Sequence, residues 1–251
     1  MKTREVTART ILTKTGIYGL DYCLNPYVGC AHGCLYCYAT FMKKYSGHDE
    51  AWGEFVDVKV NAPEILKREL RRGRAGEAIL SSVTDPYQPI ESAYKITRAC
   101  LEILAMSDLK VSILTKSRLV TRDIDILSRM KGVDVGLTVT TDREDIRHMF
   151  EPRASSIEAR LKALKALKEA GISTHAFIGP ILPMNPERLA EALAPHIKRV
   201  LIDRMNYSWK VREVYRRHNL NHALEPAYFE EIEDILVSRL SGLGVEIEVV
   251  S

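Results

Sequence analysis

The feature that most constrains this chain is a loop with three cysteines in eight residues, CAHGCLYC at positions 30–37. Its spacing is C-x3-C-x2-C. The chain has five cysteines, an odd number, and such crowding is typical of metal ligation in a reducing compartment rather than of a disulfide framework. The other two, Cys23 and Cys100, lie in an apparent strand and on the apolar face of a predicted helix. The loop therefore predicts a metal centre.

The spacing of the loop favours an iron-sulfur cluster over a zinc ion. A 4Fe-4S cluster usually takes one thiolate per iron, so three cysteines leave one iron open. The group that pairs with such a site is S-adenosylmethionine (SAM), chelated through its amino and carboxylate groups. His32 could complete a Cys3His zinc site, although ligands separated by a single residue fit a tetrahedral site awkwardly. Cysteines that are merely buried have no reason to crowd into a glycine-containing loop.

Composition excludes several other classes of protein. Of 251 residues, 46% are hydrophobic and 27% charged, which excludes disordered and collagen-like chains. Lys and Arg number 36 against 33 Asp and Glu, for a formal charge of +3. The first ten residues are mostly polar and predict no secretory signal. The most apolar segment, 176–184, is far short of the roughly 20 residues of a membrane helix. We expect a cytoplasmic protein without a membrane span.

From about residue 77 onward, short apolar runs alternate with amphipathic stretches, a pattern typical of βα repetition. The predicted strands are 20–25, 78–83, 110–115, 133–140, 173–181 and 199–204. The predicted helices include 93–105 and 156–170, and a helix at 226–240 and a strand at 245–250 end the chain. About six βα units predict an α/β fold that closes partly into a barrel. No linker divides the chain, so we predict one domain over 1–251, with a core at about 20–205 and a C-terminal extension at about 206–251.

The motif C-x3-C-x-aromatic-C after a first strand, followed by βα units, resembles the radical SAM superfamily. Four stretches resemble its spore photoproduct lyase-like branch, also called "DNA repair photolyase": GCLYCYA, TDPYQPIE, LTKS and EPRA, starting at residues 33, 84, 114 and 151. The resemblance covers roughly 23–185. It implies a TIM-like partial (βα)6 barrel and three cluster ligands, Cys30, Cys34 and Cys37. It also implies reductive cleavage of SAM to methionine and a 5′-deoxyadenosyl radical that abstracts hydrogen from a substrate.

Polar residues gather where predicted strands end, and reactive groups of barrel folds collect at the carboxyl ends of strands. Lys116 stands at such an end, and the family likeness implies that its ammonium meets the carboxylate of the methionine moiety; a solvated lysine is the alternative. Thr138 and Thr140 share one face of their strand because side chains alternate. Thr140, nearer the exit, is the candidate for binding the ribose, although both threonines also suit a strand by propensity alone.

Further cofactor contacts are implied by the resemblance. Tyr36 corresponds to an aromatic residue against the adenine side of the cofactor. Ile178, beside Gly179, is placed to form an apolar wall for adenine, and a simple core isoleucine is the alternative. Arg153 follows a Glu-Pro turn and offers a planar fork of donors to a carboxylate of cofactor or substrate, or to the neighbouring Glu151.

The stretch 84–91 contains two prolines and begins at a strand exit, so it predicts a stiff loop over the barrel mouth. Thr84 or Asp85 is expected to contact the cofactor or to order the cysteine loop, and Tyr87 and Gln88 are expected to face the substrate. A purely structural turn is the alternative, since Asp-Pro is common turn chemistry.

Tyr36 and Tyr38 flank Cys37 and resemble the tyrosine pair that passes hydrogen in spore photoproduct lyases, so both are candidate catalytic residues. Those lyases also use a cysteine hydrogen donor near the second strand exit, whereas residues 81–85 of this chain contain no thiol. The difference argues against the spore DNA lesion as substrate. His148 and His175 have no partner identifiable in the sequence, and neither is assigned a metal or base role.

Two basic segments bear on the substrate, 59–74 and 198–217. The second carries Tyr207, Trp209 and Tyr215 among its cations, and interleaved aromatics can stack bases while cations hold phosphates. We therefore expect a radical SAM enzyme acting on a nucleic acid or another anionic substrate, with a reducing partner of the ferredoxin or flavodoxin type. The alternatives are a radical SAM enzyme acting on a peptide or small molecule, and a non-catalytic iron-sulfur or zinc module that binds nucleic acid.

Overall fold

The computed structural model describes residues 1–250. The strands are β1 Lys2–Val6, β2 Leu12–Lys14, β3 Tyr22–Leu24, β4 Tyr27–Val28, β5 Phe55–Lys59, β6 Gly76–Leu80, β7 Leu109–Thr115, β8 Val133–Thr138, β9 Ser173–Ile178, β10 Arg199–Asp203 and β11 Glu246–Val250. The α-helices are α1 Lys43–Ser46, α2 Ala62–Leu70, α3 Glu91–Tyr94, α4 Ile96–Leu104, α5 Ile124–Leu127, α6 Glu144–Phe150, α7 Ile157–Glu169, α8 Pro186–Leu193, α9 Arg212–Arg217 and α10 Pro226–Gly242. Within this described part, none of the helices has both the length and the apolar character that crossing a bilayer requires.

The main sheet has eight strands in the order β2-β3-β6-β7-β8-β9-β10-β11. Every neighbouring pair from β3 to β11 is parallel, and β2 is antiparallel to β3. Strands that follow each other along the chain with helices between them are also neighbours in space, which is the winding of a βα barrel. Within residues 1–250 the two edge strands do not pair with each other, so the barrel is open. The predicted α/β fold with a partial, TIM-like barrel is confirmed, and the strand predicted at 245–250, β11, joins the same sheet beside β10.

A small second sheet, β1-β5-β4, was absent from the sequence prediction. Its central strand β5 is almost entirely buried, so it lacks the alternation of polar and apolar residues that marks a half-exposed strand. β5 pairs with β1, about fifty residues earlier, and with β4. Because β4 ends two residues before Cys30, this sheet fixes the entry to the cysteine loop.

Two predicted strands end earlier than expected. The strand predicted at 133–140 ends at Thr138, and the strand predicted at 173–181 ends at Ile178, just before a Gly-Pro pair that cannot continue the ladder. The helix predicted at 93–105 begins at Ile96, after a left-handed Lys95 with φ of 54°. These boundaries matter because side chains at strand ends form the site.

A charged cluster lies at the amino-terminal end of the barrel strands. The Asp134 carboxylate on β8 lies 2.7 Å from His175 Nδ1 on β9 and 3.0 Å from Arg199 Nη2 on β10. His175, for which the sequence offered no partner, packs over Gly136, where an added Cβ would approach its Nε2 to 2.1 Å. The cluster therefore joins three adjacent strands at the end remote from the cysteine loop.

We expect Asp134→Asn to destabilise the protein in a pH-dependent way. Burial by itself would raise the pKa of Asp134, but the hydrogen bond and charge of His175, with the charge of Arg199, lower it from 3.8 to about 2. A lowered pKa stabilises the fold above the usual value, and the contribution is lost as pH falls towards the folded pKa. The variant should lose about 2 kcal/mol of unfolding free energy at pH 7 and progressively less below pH of about 4.

Urea unfolding of Asp134→Asn at pH 7 and pH 3 tests this expectation, with the exposed Asp108→Asn as the matched control. An equal loss of stability at both pH values would contradict it.

Candidate active site

A cavity of about 490 Å³ opens at the carboxyl ends of the parallel strands, bounded on one side by the cysteine loop. Nine of the residues singled out in the sequence line it: Cys30, Cys34, Tyr36, Cys37, Tyr38, Thr84, Asp85, Lys116 and Thr138. Thr140, Arg153 and Ile178 are not in its wall. The fold therefore brings the cysteine motif and the strand exits to one place.

The three cysteines of the loop are largely shielded from solvent. Burial raises the pKa of Cys30, Cys34 and Cys37, that of Cys34 to about 12. The indole of Trp52 lies against Cys37 and acts on its pKa in the opposite direction. Because a buried thiol holds its proton at neutral pH, these groups become ligands only when a metal replaces that proton.

His32 is turned away from a role as fourth ligand. Its Nδ1 lies 3.2 Å from the Arg153 carbonyl oxygen, and its Nε2 lies 3.2 Å from Oδ2 of Asp85. Ligands of a single zinc ion lie about 2.0–2.3 Å from the metal and hence close together. No three His, Cys, Asp or Glu side chains among residues 1–250 stand at single-ion distances, and this holds for the three cysteines as well as for His32. The geometry does not support the Cys3His alternative.

Thr84 and Gln88 hold the cysteine loop in place. Thr84 Oγ1 donates to the Gly29 carbonyl at 2.5 Å, and Gln88 Oε1 accepts from the Ala31 N–H at 2.8 Å. Gln88 Nε2 donates to Thr84 Oγ1 at 3.0 Å, which ties the two together. Gln88 and Tyr87 are fully buried outside the cavity wall, contrary to the expectation that they face substrate. The turn after Asp85 directs both side chains into the core.

Asp85 connects the exits of β6 and β7. Its carboxylate accepts from Thr115 Oγ1 at 2.6 Å and from the Lys116 N–H at 2.9 Å. Burial would raise its pKa, but the charge of His32 and these hydrogen bonds lower it to about 2. Asp85 is therefore a carboxylate in the cavity wall, and it sets the backbone from which Lys116 projects.

Behind the cavity wall lies a buried network centred on Glu151. The Tyr36 hydroxyl and Thr140 Oγ1 both donate to its Oε1, and Arg160 pairs with its Oε2. Arg160 also donates to the Thr138 carbonyl at 2.9 Å. Thr140, the ribose candidate, is thus placed in this network outside the cavity, whereas Thr138 is in the wall. β8 ends at Thr138, so the alternation that would direct Thr140 to the cavity stops there.

Sequence reasoning missed the network, although α7 carries a signal for it. Ile157, Leu164 and Leu167 lie on its buried face, and Arg160 falls on that face at helical spacing. A charged residue within an apolar stripe is almost never fully buried unless it is paired. The stripe therefore indicates a buried acid elsewhere, and the tertiary structure identifies it as Glu151.

Arg204 lines the cavity but pairs with Glu233, so within residues 1–250 Lys116 is the lysine or arginine of the wall that has no carboxylate partner. Its Nζ lies 5.6 Å from the centroid of the Tyr36 ring, and within residues 1–250 no carboxylate is at ion-pair distance from it. Burial would lower its pKa, but the charge of Cys34, once that thiol is ionised, and the charge of Glu151 raise it. An ammonium that lines a cavity without a carboxylate partner suits a ligand carboxylate.

Arg153 and Ile178 occupy other positions than expected. Arg153 Nη1 lies 2.9 Å from Glu54 Oε1, and the guanidinium crosses Gly33 and Gly53, where an added Cβ would come within 2.8 Å and 2.6 Å of it. Arg153 thus packs across the cysteine loop rather than pairing with Glu151.

Ile178 is fully buried on the outer face of β9. Its neighbours Phe177 and Gly179 are the residues in the cavity wall, because side chains alternate along a strand.

An aromatic ledge formed by Tyr38, Tyr207 and Trp209 lies at the cavity mouth. The rings of Tyr38 and Tyr207 stack with centroids 6.4 Å apart, and Trp209 meets Tyr207 edge-on at 5.0 Å. The Tyr38 hydroxyl donates to the Ser82 carbonyl. Trp209 is 63% exposed, whereas Tyr215 is fully buried and contributes to the core instead. The ledge therefore consists of one residue that follows the cysteine loop and two residues from the C-terminal part of the chain.

The sequence profile of the Radical SAM superfamily matches residues 24–225. The chain belongs to the radical SAM superfamily. It is therefore an enzyme, and this membership implies SAM and an iron-sulfur cluster as its cofactors.

Relatives of this radical SAM enzyme include an uncharacterised protein of Methanocaldococcus jannaschii, 40% identical over 179 residues that cover 71% of this chain and 67% of the relative. A radical SAM Nalpha-GlyT isomerase of Pseudomonas phage M6 is 27% identical over 77% of this chain and 42% of its own length. An uncharacterised protein of Mycobacterium tuberculosis is 31% identical, and the chain spans 56% of its length. Spore photoproduct lyase complexed with dinucleoside spore photoproduct has the same fold, with a TM-score of 0.72 and 16% identity over 99% of this chain and 82% of that one.

The residues present fit the cofactors that the superfamily implies. Three thiols of one loop line the cavity together. The Trp52 indole nitrogen, also buried in the wall, has no hydrogen-bond partner in residues 1–250. Tyr36 belongs to the loop and Lys116 lines the same cavity, where an aromatic ring and a carboxylate would meet them.

Proposed function

We propose that this radical SAM enzyme reductively cleaves SAM at a 4Fe-4S cluster and uses the resulting 5′-deoxyadenosyl radical to abstract hydrogen from a substrate. The observation that supports the proposal is that three cysteines and a lysine without a carboxylate partner line one cavity at the strand exits. When bound, the cluster supplies the electron that breaks a carbon–sulfur bond of SAM. A cluster held by three cysteines has one iron open to the cofactor.

The residues of the chain have separable roles in this proposal. Cys30, Cys34 and Cys37 hold the cluster, and Lys116 binds the SAM carboxylate. Tyr36 contacts the cofactor with its ring, because its hydroxyl is held in the core by Glu151.

The hydrogen-transfer role falls to Tyr38, which is the residue of the ledge that follows the cysteine loop and which lines the cavity. Thr138, Phe177 and Gly179 supply the wall against the ribose and adenine, in place of Thr140 and Ile178. We also propose an electron donor of the ferredoxin or flavodoxin type, which supplies the low-potential electron.

Anaerobic reconstitution tests the proposed reaction. Iron and sulfide should bind at about four each per chain, and dithionite with SAM should then yield 5′-deoxyadenosine and methionine. A reconstituted protein that produces no 5′-deoxyadenosine under reduction would overturn the proposal.

Lys116→Ala should weaken SAM binding by about 1–3 kcal/mol while leaving the cluster spectrum intact, because it removes one charge-assisted hydrogen bond. Isothermal titration of SAM into the reconstituted protein measures the effect. Lys110→Ala is the matched control, since Lys110 stands at the opposite end of β7 and is paired with Glu77. Unchanged SAM affinity in Lys116→Ala would show that Lys116 does not bind the cofactor.

For the substrate we propose a nucleic acid or another anionic molecule. The support is the exposed aromatic ledge, whose Tyr207 ring also has Lys210 Nζ 6.0 Å from its centroid. Solved relatives of this fold include spore photoproduct lyase with a dinucleoside substrate and a Streptococcus suis protein bound to a precursor peptide, with a TM-score of 0.62. A peptide is therefore the competing substrate class.

Oligonucleotide binding separates these classes. Affinity for short DNA or RNA should fall steeply with salt, because bound phosphates release counterions. Trp209→Ala should cost about 1–3 kcal/mol if the indole stacks on a base, and should spare cluster assembly. Fluorescence anisotropy across a salt series measures both effects, with Tyr18→Ala, a fully exposed aromatic residue outside the ledge, as the control. Oligonucleotide affinity that is unchanged in Trp209→Ala would favour a peptide or a small molecule as the substrate.

A further inference from the structure

Trp52 is a residue of the site to which no sequence motif pointed. Its side chain lines the cavity together with the three cysteines. The indole nitrogen is buried, and no atom of residues 1–250 accepts its hydrogen. Unpaired buried donors are rare because they lose their hydrogen bond to water without a replacement. A donor left unpaired in a ligand cavity indicates that the ligand provides the acceptor.

The position of Trp52 is fixed by contacts on both sides. Its ring meets Phe55 edge-on, with centroids 6.0 Å apart and an interplanar angle of 83°. The next residue, Gly53, packs so closely on Gly33 of the cysteine loop that an added Cβ would lie 2.8 Å from the Gly33 Cα. Glu54 then pairs with Arg153, which crosses both glycines. The segment 52–54 is thereby fastened to the loop that carries the cysteines.

Trp52 and Cys37 line the same cavity, and the indole of Trp52 acts on the Cys37 thiol. We propose that the Trp52 N–H donates a hydrogen bond to the Cys37 sulfur of the bound cluster and thereby raises its reduction potential. This inference rests on the proposed function, because it requires a cluster held by Cys37. It assigns Trp52 as a positioning and tuning residue rather than a catalytic one.

The physical reason is charge. One electron from a low-potential donor adds one negative charge to the cluster, and part of that charge resides on the sulfurs. An N–H dipole directed at a sulfur stabilises the reduced state more than the oxidised state, which raises the potential. No proton moves, because the indole keeps its hydrogen in both states. SAM cleavage requires the reduced state, so this hydrogen bond makes reduction by the donor protein easier.

Trp52→Phe tests the inference in the reconstituted holoenzyme. The phenyl ring keeps the edge contact with Phe55 but has no N–H. We expect a more negative midpoint potential in a dithionite titration followed by electron paramagnetic resonance, with a roughly three- to tenfold fall in the reduction equilibrium constant. A tenfold fall equals 59 mV for one electron. The chain has two tryptophans, so Trp209→Phe at the cavity mouth is the matched control and should leave the potential unchanged.

A second variant guards against a change in packing. In the Trp209→Phe background only position 52 carries tryptophan, so growth on the benzothiophene analogue replaces the N–H of that residue by sulfur with little change in shape. The same negative shift is expected. An unchanged or more positive potential in either Trp52 variant, or an equal shift in Trp209→Phe, would overturn the inference while the cluster itself still supports the proposed function. A wild-type protein that binds no cluster would overturn both.

Discussion

Replacing Cys34 by alanine should abolish the 4Fe-4S cluster, with bound iron falling to background and the broad absorption of the cluster lost. Cys30→Ala and Cys37→Ala should do the same. Each of these residues is one of only three thiolates in the cavity, and a cluster already lacking a fourth cysteine has no protein ligand to replace another. The expected effect is total, which makes it the largest of those predicted for cofactor binding.

The chain supplies its own controls. Cys100 is fully buried on α4, and Cys23 lies on β3 with its sulfur 3.1 Å from Thr13 Oγ1. Neither lines the cavity, so Cys23→Ala and Cys100→Ala should load the cluster normally. Iron and sulfide analysis with circular dichroism decides the matter. Full loading in Cys34→Ala, or loss of the cluster from a folded Cys100→Ala, would show that the ligands are assigned wrongly.

Glu151→Ala should lower the unfolding free energy of the cluster-free protein by about 3–5 kcal/mol, because it leaves the Arg160 guanidinium buried without a counter-charge. Both side chains of this pair are fully buried. Glu158→Ala is the matched control, since that glutamate pairs with Lys162 on the exposed face of α7, where solvent screens the pair. Urea unfolding at pH 7 measures both variants.

The charge of Arg160 can be separated from the volume of Glu151 by a double variant. Glu151→Ala with Arg160→Met removes both charges and should recover much of the loss, since a buried ion pair often contributes little beyond an apolar replacement. A loss in Glu151→Ala no larger than in Glu158→Ala would contradict the proposed network. Burial would raise the pKa of Glu151, but Arg160, Lys116 and Tyr36 lower it, so the pair should weaken as pH falls through that lowered pKa.

The network also matters for the cavity, because Glu151 orients Tyr36. The Tyr36 hydroxyl donates a hydrogen bond to Glu151, and the ammonium group of Lys116 lies over the Tyr36 ring. Glu151→Gln keeps an acceptor for that hydroxyl and should retain SAM binding better than Glu151→Ala. The stability of the core and the geometry of the cofactor wall are therefore linked through one carboxylate.

Two features were predictable from the amino-acid sequence alone: the cluster of three cysteines and the alternation of strands and helices in the barrel. The three cysteines lie within eight residues, so their proximity needs no tertiary contact. Alternation of apolar runs with amphipathic stretches sufficed for the parallel strands and the open barrel, because burial on both faces of a strand leaves a pattern in the chain. Lys116 and Thr138 stand at strand ends and line the cavity, because barrel folds bring the ends of their strands together on one face.

The partner of each polar side chain, in contrast, is visible only in the folded structure. Arg153 pairs with Glu54, about a hundred residues away, rather than with its neighbour Glu151, which Arg160 takes. Thr140 lies outside the cavity because β8 ends before it, and Ile178 lies outside because its side chain is on the other face of β9. Trp52 lines the cavity because the next residue, Gly53, packs closely on a glycine of the cysteine loop. Such contacts join segments far apart in the chain. Their energies depend on distance and burial in the folded state, which no local pattern of residues records.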